Sequence, residues 1–169
     1  MRRPGILVAA GLVVAALAVA YWLLTGYEPL REGANARGSL RYVEGAPAHY
    51  ALELVNGGRL PVRITGVNLA SAGTPLLVRE EVRRGLDTDG SRRATQPFAP
   101  FTLWPGDAAP VTVYGHFDNC EAYEHGTSTR REVQLVRFRV LGVVAADQEV
   151  EFERPIVIAA PPDEDCPGR

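Results

Sequence analysis

The residues with the greatest chemical capacity lie close together. His116, Cys120 and His125 fall within ten residues, with Asp118, Glu121 and Glu124 among them. Imidazole and thiolate suit copper or zinc, so a metal site at His116 and His125 is one expectation. The spacing matches no standard ligand motif, and a disulfide would consume Cys120. Asp87-Thr88-Asp89-Gly90-Ser91 has the start of a calcium loop. Such a loop needs more oxygen ligands and a bidentate glutamate at a set distance, so this one reads as a polar solvent loop. The third histidine, His49, stands apart on a candidate strand. The chain contains no Gly-x-Ser-x-Gly elbow, no phosphate loop and no His-Glu-x-x-His. No enzymatic activity, cofactor or small-molecule ligand is therefore expected.

Where these groups would operate depends on the N-terminal segment. Gly5 to Leu24 is a run of 20 residues, all apolar but for Gly5 and Gly11. As a helix it would be about 30 Å long, the thickness of a bilayer's hydrocarbon layer. Arg2 and Arg3 precede it, which keeps the N-terminus in the cytoplasm and carries the rest across. Tyr21 and Trp22 fall near the far end, where amphipathic rings favour the interface. A cleaved signal peptide is the rival reading, with cleavage after Ala20 giving a secreted product. The apolar residues continue through Leu24, which favours an uncleaved anchor. Both readings place the remainder outside the cytoplasm, and no cysteine near the run supports a lipid anchor. A buried core helix of this length would show a polar stripe, and this segment has none.

The mean hydropathy of -0.05 therefore averages two unlike parts. All 18 basic residues are arginines, and from Thr25 onward 16 of them face 20 acids, a net charge of -4. That balance gives no basic field for nucleic acid. Five regions follow: residues 1–4 cytoplasmic, 5–24 a transmembrane signal anchor, 25–36 a linker, 37–158 one domain, and 159–169 a proline-rich acidic tail.

The domain is a succession of short strands without helical periodicity. Ser39 to Val43 is the first candidate. His49 to Asn56 alternates Tyr50, Leu52 and Leu54 against Ala51 and Glu53, and Asn56-Gly57-Gly58 turns the chain. Leu60 to Val67, Leu76 to Val82, Phe98 to Trp104 and Pro110 to Phe117 follow, with a tight turn at Pro105-Gly106-Asp107. Val133 to Leu141 and Gln148 to Phe152 form a hairpin, and Ile156 to Ile158 closes the pattern. Arg83 to Pro97 and Asp118 to Glu132 are long polar loops. Arg92, Arg93, Arg130 and Arg131 within them are candidate contacts for an acidic partner. Within the hairpin, Arg137 and Arg139 share one face, as do Glu149, Glu151 and Glu153. Antiparallel pairing is expected to set these charges against each other and so fix the register.

Seven or eight such strands predict an all-β, immunoglobulin-like antiparallel sandwich preceded by one transmembrane helix. Leu54-Val55-Asn56-Gly57-Gly58 followed by Pro61 to Val67 resembles the B–C hairpin of bacterial immunoglobulin-like modules. Leu103-Trp104-Pro105-Gly106-Asp107 before Val111-Thr112-Val113 is similar to a turn that leads a later strand in them. The resemblance implies a fold and leaves function open, since such modules serve adhesion, scaffolding and assembly. The layout also resembles that of copper chaperones for cytochrome oxidase assembly. Their Cys-x-Cys ligand pair is missing here, as is any methionine beyond Met1.

Cys120 and Cys166 are the only cysteines. Outside the cytoplasm such a pair is expected to form a disulfide. It would close a loop of about 47 residues, a constraint valued at roughly 4 kcal/mol. The functional expectation is a membrane-anchored interaction or assembly module whose partner is another envelope protein, with a copper- or zinc-handling chaperone as the alternative.

Overall fold

Alternation with a period of two sends every second side chain to a common interior, and the chain folds accordingly. The computed structural model describes residues 13–15, 17–22, 27–34, 48–68, 79–88, 90–116 and 128–159. Nine strands appear in it: β1 (Leu30–Glu32), β2 (Ala48–Asn56), β3 (Val62–Asn68), β4 (Arg79–Arg84), β5 (Gln96–Pro97), β6 (Phe101–Leu103), β7 (Ala108–His116), β8 (Ser128–Val140) and β9 (Val144–Ala159). They form two antiparallel sheets in the orders β1-β2-β7-β4-β5 and β6-β3-β8-β9. Setting the two short additions β5 and β6 aside leaves β1-β2-β7-β4 and β3-β8-β9. That is the strand order of an immunoglobulin constant-type domain, so the sandwich is compatible with such a module.

The core is made by the inward set. Tyr50, Leu52 and Leu54 of β2 meet Val111 and Val113 of β7 in the first sheet, and Val62, Ile64, Val136, Phe138 and Val140 come from the second. Burying such side chains contributes on the order of 2 kcal/mol each before chain entropy is set against it. Two polar side chains are sealed among them. Tyr50 donates its hydroxyl hydrogen to Oε1 of Gln134 on β8, and Gln134 in turn donates to the carbonyl of Asn68 at the end of β3. The first bond crosses the sandwich and the second ties Gln134 to its own sheet, so both buried groups are paired, as burial requires.

The turns sort both sheets by end. Asn56 is fully buried and holds the β2–β3 turn: its Nδ2 donates to the carbonyls of Leu60 (2.9 Å) and Leu103 (3.0 Å), and its Oδ1 accepts the Gly58 N–H. The β6–β7 turn closes at the same end, where Trp104 N–H meets the Asp107 carboxylate at 3.0 Å. So does the β8–β9 turn, in which Leu141 and Gly142 both have positive φ, 52° and 76°.

Several expectations need correction. The linker expected over 25–36 contains a strand: Leu30 to Glu32 is β1, paired with Asn56 to Leu54 of β2. Three residues are too few for an alternation signal, and the strand exists because neighbours hold it. β8 begins at Ser128, so Arg130 and Arg131 lie on a strand opposite Val157 and Ile156, not in a loop. The final hairpin has a turn of three residues, Leu141 to Val143, with Val140 opposite Val144. That register sets Arg137 against Asp147, Arg139 against Ala145, Leu135 against Glu149 and Val133 against Glu151. The anticipated arginine–glutamate pairs therefore do not form: neither Arg137 nor Arg139 stands opposite a glutamate. Arg137 instead makes a two-pronged contact with Asp147 at 3.0 and 3.3 Å. All these charges still share the outer face of one sheet. Pro155 sits inside β9, which tolerates it because β9 is an edge strand with a register shift opposite Arg131 and Val133.

Residues 13–15 and 17–22 are helical and exposed, and the rest of the 5–24 run lies outside the described residues. Among the described residues no helix is long and apolar enough to cross a membrane. The candidate strand Ser39 to Val43 also lies outside them.

Candidate functional site

An outward face on a half-covered sheet is normally polar and wet. β3 obeys this, with Arg63 exposed between buried Val62 and Ile64. The outward face of the first sheet does not. Ala51 of β2 and Thr112 and Tyr114 of β7 point away from the core, yet all three are buried. The cover comes from Gly85 to Thr88 and Gly90 to Thr95, where Asp87 and Thr95 are buried while Thr88, Ser91, Arg93 and Ala94 face solvent.

Asp87 holds that cover in place. Its carboxylate accepts the N–H groups of Gly90 (3.0 Å) and Arg92 (2.9 Å) and the hydroxyl hydrogen of Tyr114. Its own N–H donates to Thr112 Oγ1 at 3.0 Å, and that hydroxyl donates onward to the Gly85 carbonyl at 2.8 Å. Gly85 has φ 122°, and a Cβ there would lie 2.5 Å from the Ala94 carbonyl oxygen, so only glycine lets the loop begin its return. Within this stretch Asp87 is a buried latch, while Thr88 and Ser91 are exposed as a solvent loop would have them.

Around Tyr114 the side chains form layers. His49 stacks on its ring at 5.7 Å between centroids, and the Arg92 guanidinium lies 4.9 Å from the ring centre. Glu81 joins two arginines, reaching Arg83 at 2.8 Å and Arg92 at 3.2 Å. Arg83 also donates to the Thr95 hydroxyl at 2.8 Å and to the Thr95 carbonyl at 3.2 Å, tying the far end of the loop to β4. Burial, and then the bond to Asp87, push the Tyr114 hydroxyl up to about 12. It stays protonated at any physiological pH, acting as a donor to the carboxylate.

Arg92 is thus half-buried against Tyr114 and Glu81, whereas Arg93 is exposed. Arg130 and Arg131 are placed by their backbone on β8. His116 ends β7 and pairs with Arg79, while His125, Cys120 and Cys166 lie outside the described residues. Among the described residues no group of three or more His, Cys, Asp or Glu could hold a metal ion. Arg139 lies between Arg63 and Ala145 in the ladder, and Glu149, Glu151 and Glu153 are exposed along the β9 edge.

Sequence reasoning missed two features. One is the latch, whose only trace was the Asp-Gly pairing at 87–90. The other is an apolar end of the sandwich at Trp104, Leu141 and Val143, which are 62%, 52% and 74% exposed. Its trace was a tryptophan beside a Pro-Gly-Asp turn and a glycine flanked by Leu and Val. Compared with models of known protein families and with curated proteins, the chain matches none.

Proposed function

We propose that this chain is a membrane-anchored interaction module: residues 5–24 hold it in the bilayer, and the immunoglobulin-like sandwich works outside the cytoplasm, in the manner of bacterial envelope modules. The observation that carries the reading is the 20-residue apolar run behind Arg2 and Arg3, which ends three residues before the chain joins the sandwich at Tyr27. A partner-binding role fits the way the polar side chains are used. Asp87, Tyr114, Arg83 and Arg92 serve to fasten a loop, leaving the domain with surfaces to offer. The partner in this reading is another envelope protein.

Cell fractionation tests it. The full chain should stay with membranes through an alkaline carbonate wash, and protease added outside intact spheroplasts should digest the sandwich. Cross-linking in those membranes should then yield discrete adducts with another protein. Release by carbonate, or protection from external protease, would refute the anchor and its orientation.

A further inference from the structure

The point where the chain enters the sandwich is fixed firmly. Tyr27 Oη accepts the N–H groups of Arg59 (2.6 Å) and Leu60 (3.1 Å). The Pro29 carbonyl accepts the Gly57 N–H at 2.8 Å, and Leu30 pairs with Asn56. The entry point is therefore stitched to the β2–β3 turn. The exposed apolar residues sit at this same end. Leu103 of β6, Val62 of β3, Val140 of β8 and Val144 of β9 lie side by side across the second sheet. Trp104 follows the first of them, and Leu141 to Val143 joins the last two. Leu141 N–H also donates to the Pro61 carbonyl at 3.1 Å, locking the hairpin tip to the β2–β3 turn.

Leu141 adds an independent clue. Its φ of 52° is a conformation that favours glycine or asparagine. A leucine there is strained and 52% exposed, an arrangement that asparagine or glycine would hold more cheaply and that is consistent with a use for the exposed side chain. Exposed charges ring the tip without entering it: Glu28, Arg31 and Arg59 beside the chain entry, Asp107 in the β6–β7 turn, and Arg63 and Arg139 one residue behind Val62 and Val140.

On the reading that residues 5–24 span a bilayer, we infer that Trp104, Leu141 and Val143 form a second membrane contact that seats the sandwich in the lipid interface. The occupant of this apolar tip is lipid, because the chain leaves it little choice. From Leu24 to Tyr27 there are three residue steps, which reach at most about 11 Å. The headgroup layer is itself several ångströms deep, so the end that carries Tyr27 must lie at its surface. Tryptophan is the side chain that most favours that layer, and Leu and Val gain by leaving water there. The domain would stand end-on, with a fixed tilt and without swinging freely on a tether.

The chain contains two tryptophans, Trp22 and Trp104, which makes the test clean. The full chain is reconstituted into phosphatidylcholine–phosphatidylglycerol vesicles carrying lipids brominated either near the glycerol or near the chain ends. In Trp22→Phe the emission comes from Trp104, and it should be quenched about twofold by shallow bromine and little by deep bromine. In Trp104→Phe the emission comes from Trp22 and reports the anchor. Quenching of Trp22 without Trp104 would overturn the seated tip and leave the anchor standing. Quenching of neither would overturn both. A protein partner or a second copy on the tip would give that first outcome. Adding Leu141→Asn and Val143→Thr to Trp22→Phe should reduce the Trp104 quenching while urea stability holds or rises, since asparagine suits the Leu141 backbone. Unchanged quenching there would refute a joint role for the three side chains.

Discussion

Asp87 is the residue on which the outward face of the first sheet depends. It is 3% exposed and accepts three hydrogen bonds, two from backbone and one from Tyr114. Asp87→Ala removes the acceptor of two part-buried N–H groups and of the buried Tyr114 hydroxyl, a loss of roughly 3 kcal/mol that denaturant unfolding would measure. A loss under about 1 kcal/mol would mean that the loop is held mainly by Arg83 and Arg92. Tyr114 makes a separate prediction in alkali. Its hydroxyl is held at about 12, above the ordinary value of 10, so the folded state keeps a proton that the unfolded state sheds first. The stabilisation is complete below about pH 10 and is lost as pH rises towards 12. Stability should fall across that window and fall less in Tyr114→Phe; equal slopes would exclude the latch as the cause. His49, Asp87, Arg83 and Arg92 all face the ring or its hydroxyl, and of these the carboxylate sets the direction together with burial. The sequence showed every one of these residues, but not their meeting, because a loop folding over a sheet leaves no periodic mark.

Strands with a strong period of two were legible for a physical reason: their side chains divide between core and solvent. β2, β3 and β7 were read within a few residues of their ends for this reason. β1 and the start of β8 were not, because their pairing is decided by partners distant in sequence. β1 shows how. Gln148 of β9 reaches across from the other sheet, accepting the Leu30 N–H at 3.0 Å and donating to the Leu30 carbonyl at 2.7 Å. One side chain thus completes both backbone bonds of a strand and closes the edge between the sheets. Two residues on, Glu32 accepts the Glu153 N–H, and partial burial raises its carboxyl above the usual range despite that bond. Gln148→Leu should leave both Leu30 groups unpaired, costing about 2 kcal/mol and speeding amide exchange at Leu30 ahead of the core. Exchange that stays as slow as in β2 would show that β1 is held by its ladder alone. The register of β8 and β9 was misjudged because a loop of six residues was expected where a tight turn with two left-handed positions stands. Reading Leu141 as turn required φ > 0 at a leucine, which sequence rules discount.

At the scale of the molecule the strand directions give the sandwich two unlike ends. One holds the chain entry, the three turns and the apolar tip. The opposite end is where β4 begins and β7 finishes, with Arg79 opposite His116, and where β8 begins and β9 finishes, with Ser128 opposite Ala159. The chain carrying Cys120 leaves β7 there, four residues after His116, and the tail carrying Cys166 leaves β9 there, seven residues after Ala159. Extended chain covers about 3.4 Å per residue, so both cysteines start within reach of one another from the same end. The exported location proposed for the domain favours their oxidation. On that proposal a Cys120–Cys166 bridge is expected, fastening the tail to the end opposite the apolar tip. Peptide mapping without reductant should recover the linked pair. Cys120→Ser and Cys166→Ser should each lower stability by roughly 2–4 kcal/mol, and the double variant by no more than either, because the two share one bond. Both thiols reacting with an alkylating agent in protein taken from the native envelope would refute the bridge. Additive losses in the double variant would instead mean that each cysteine acts separately, by packing alone.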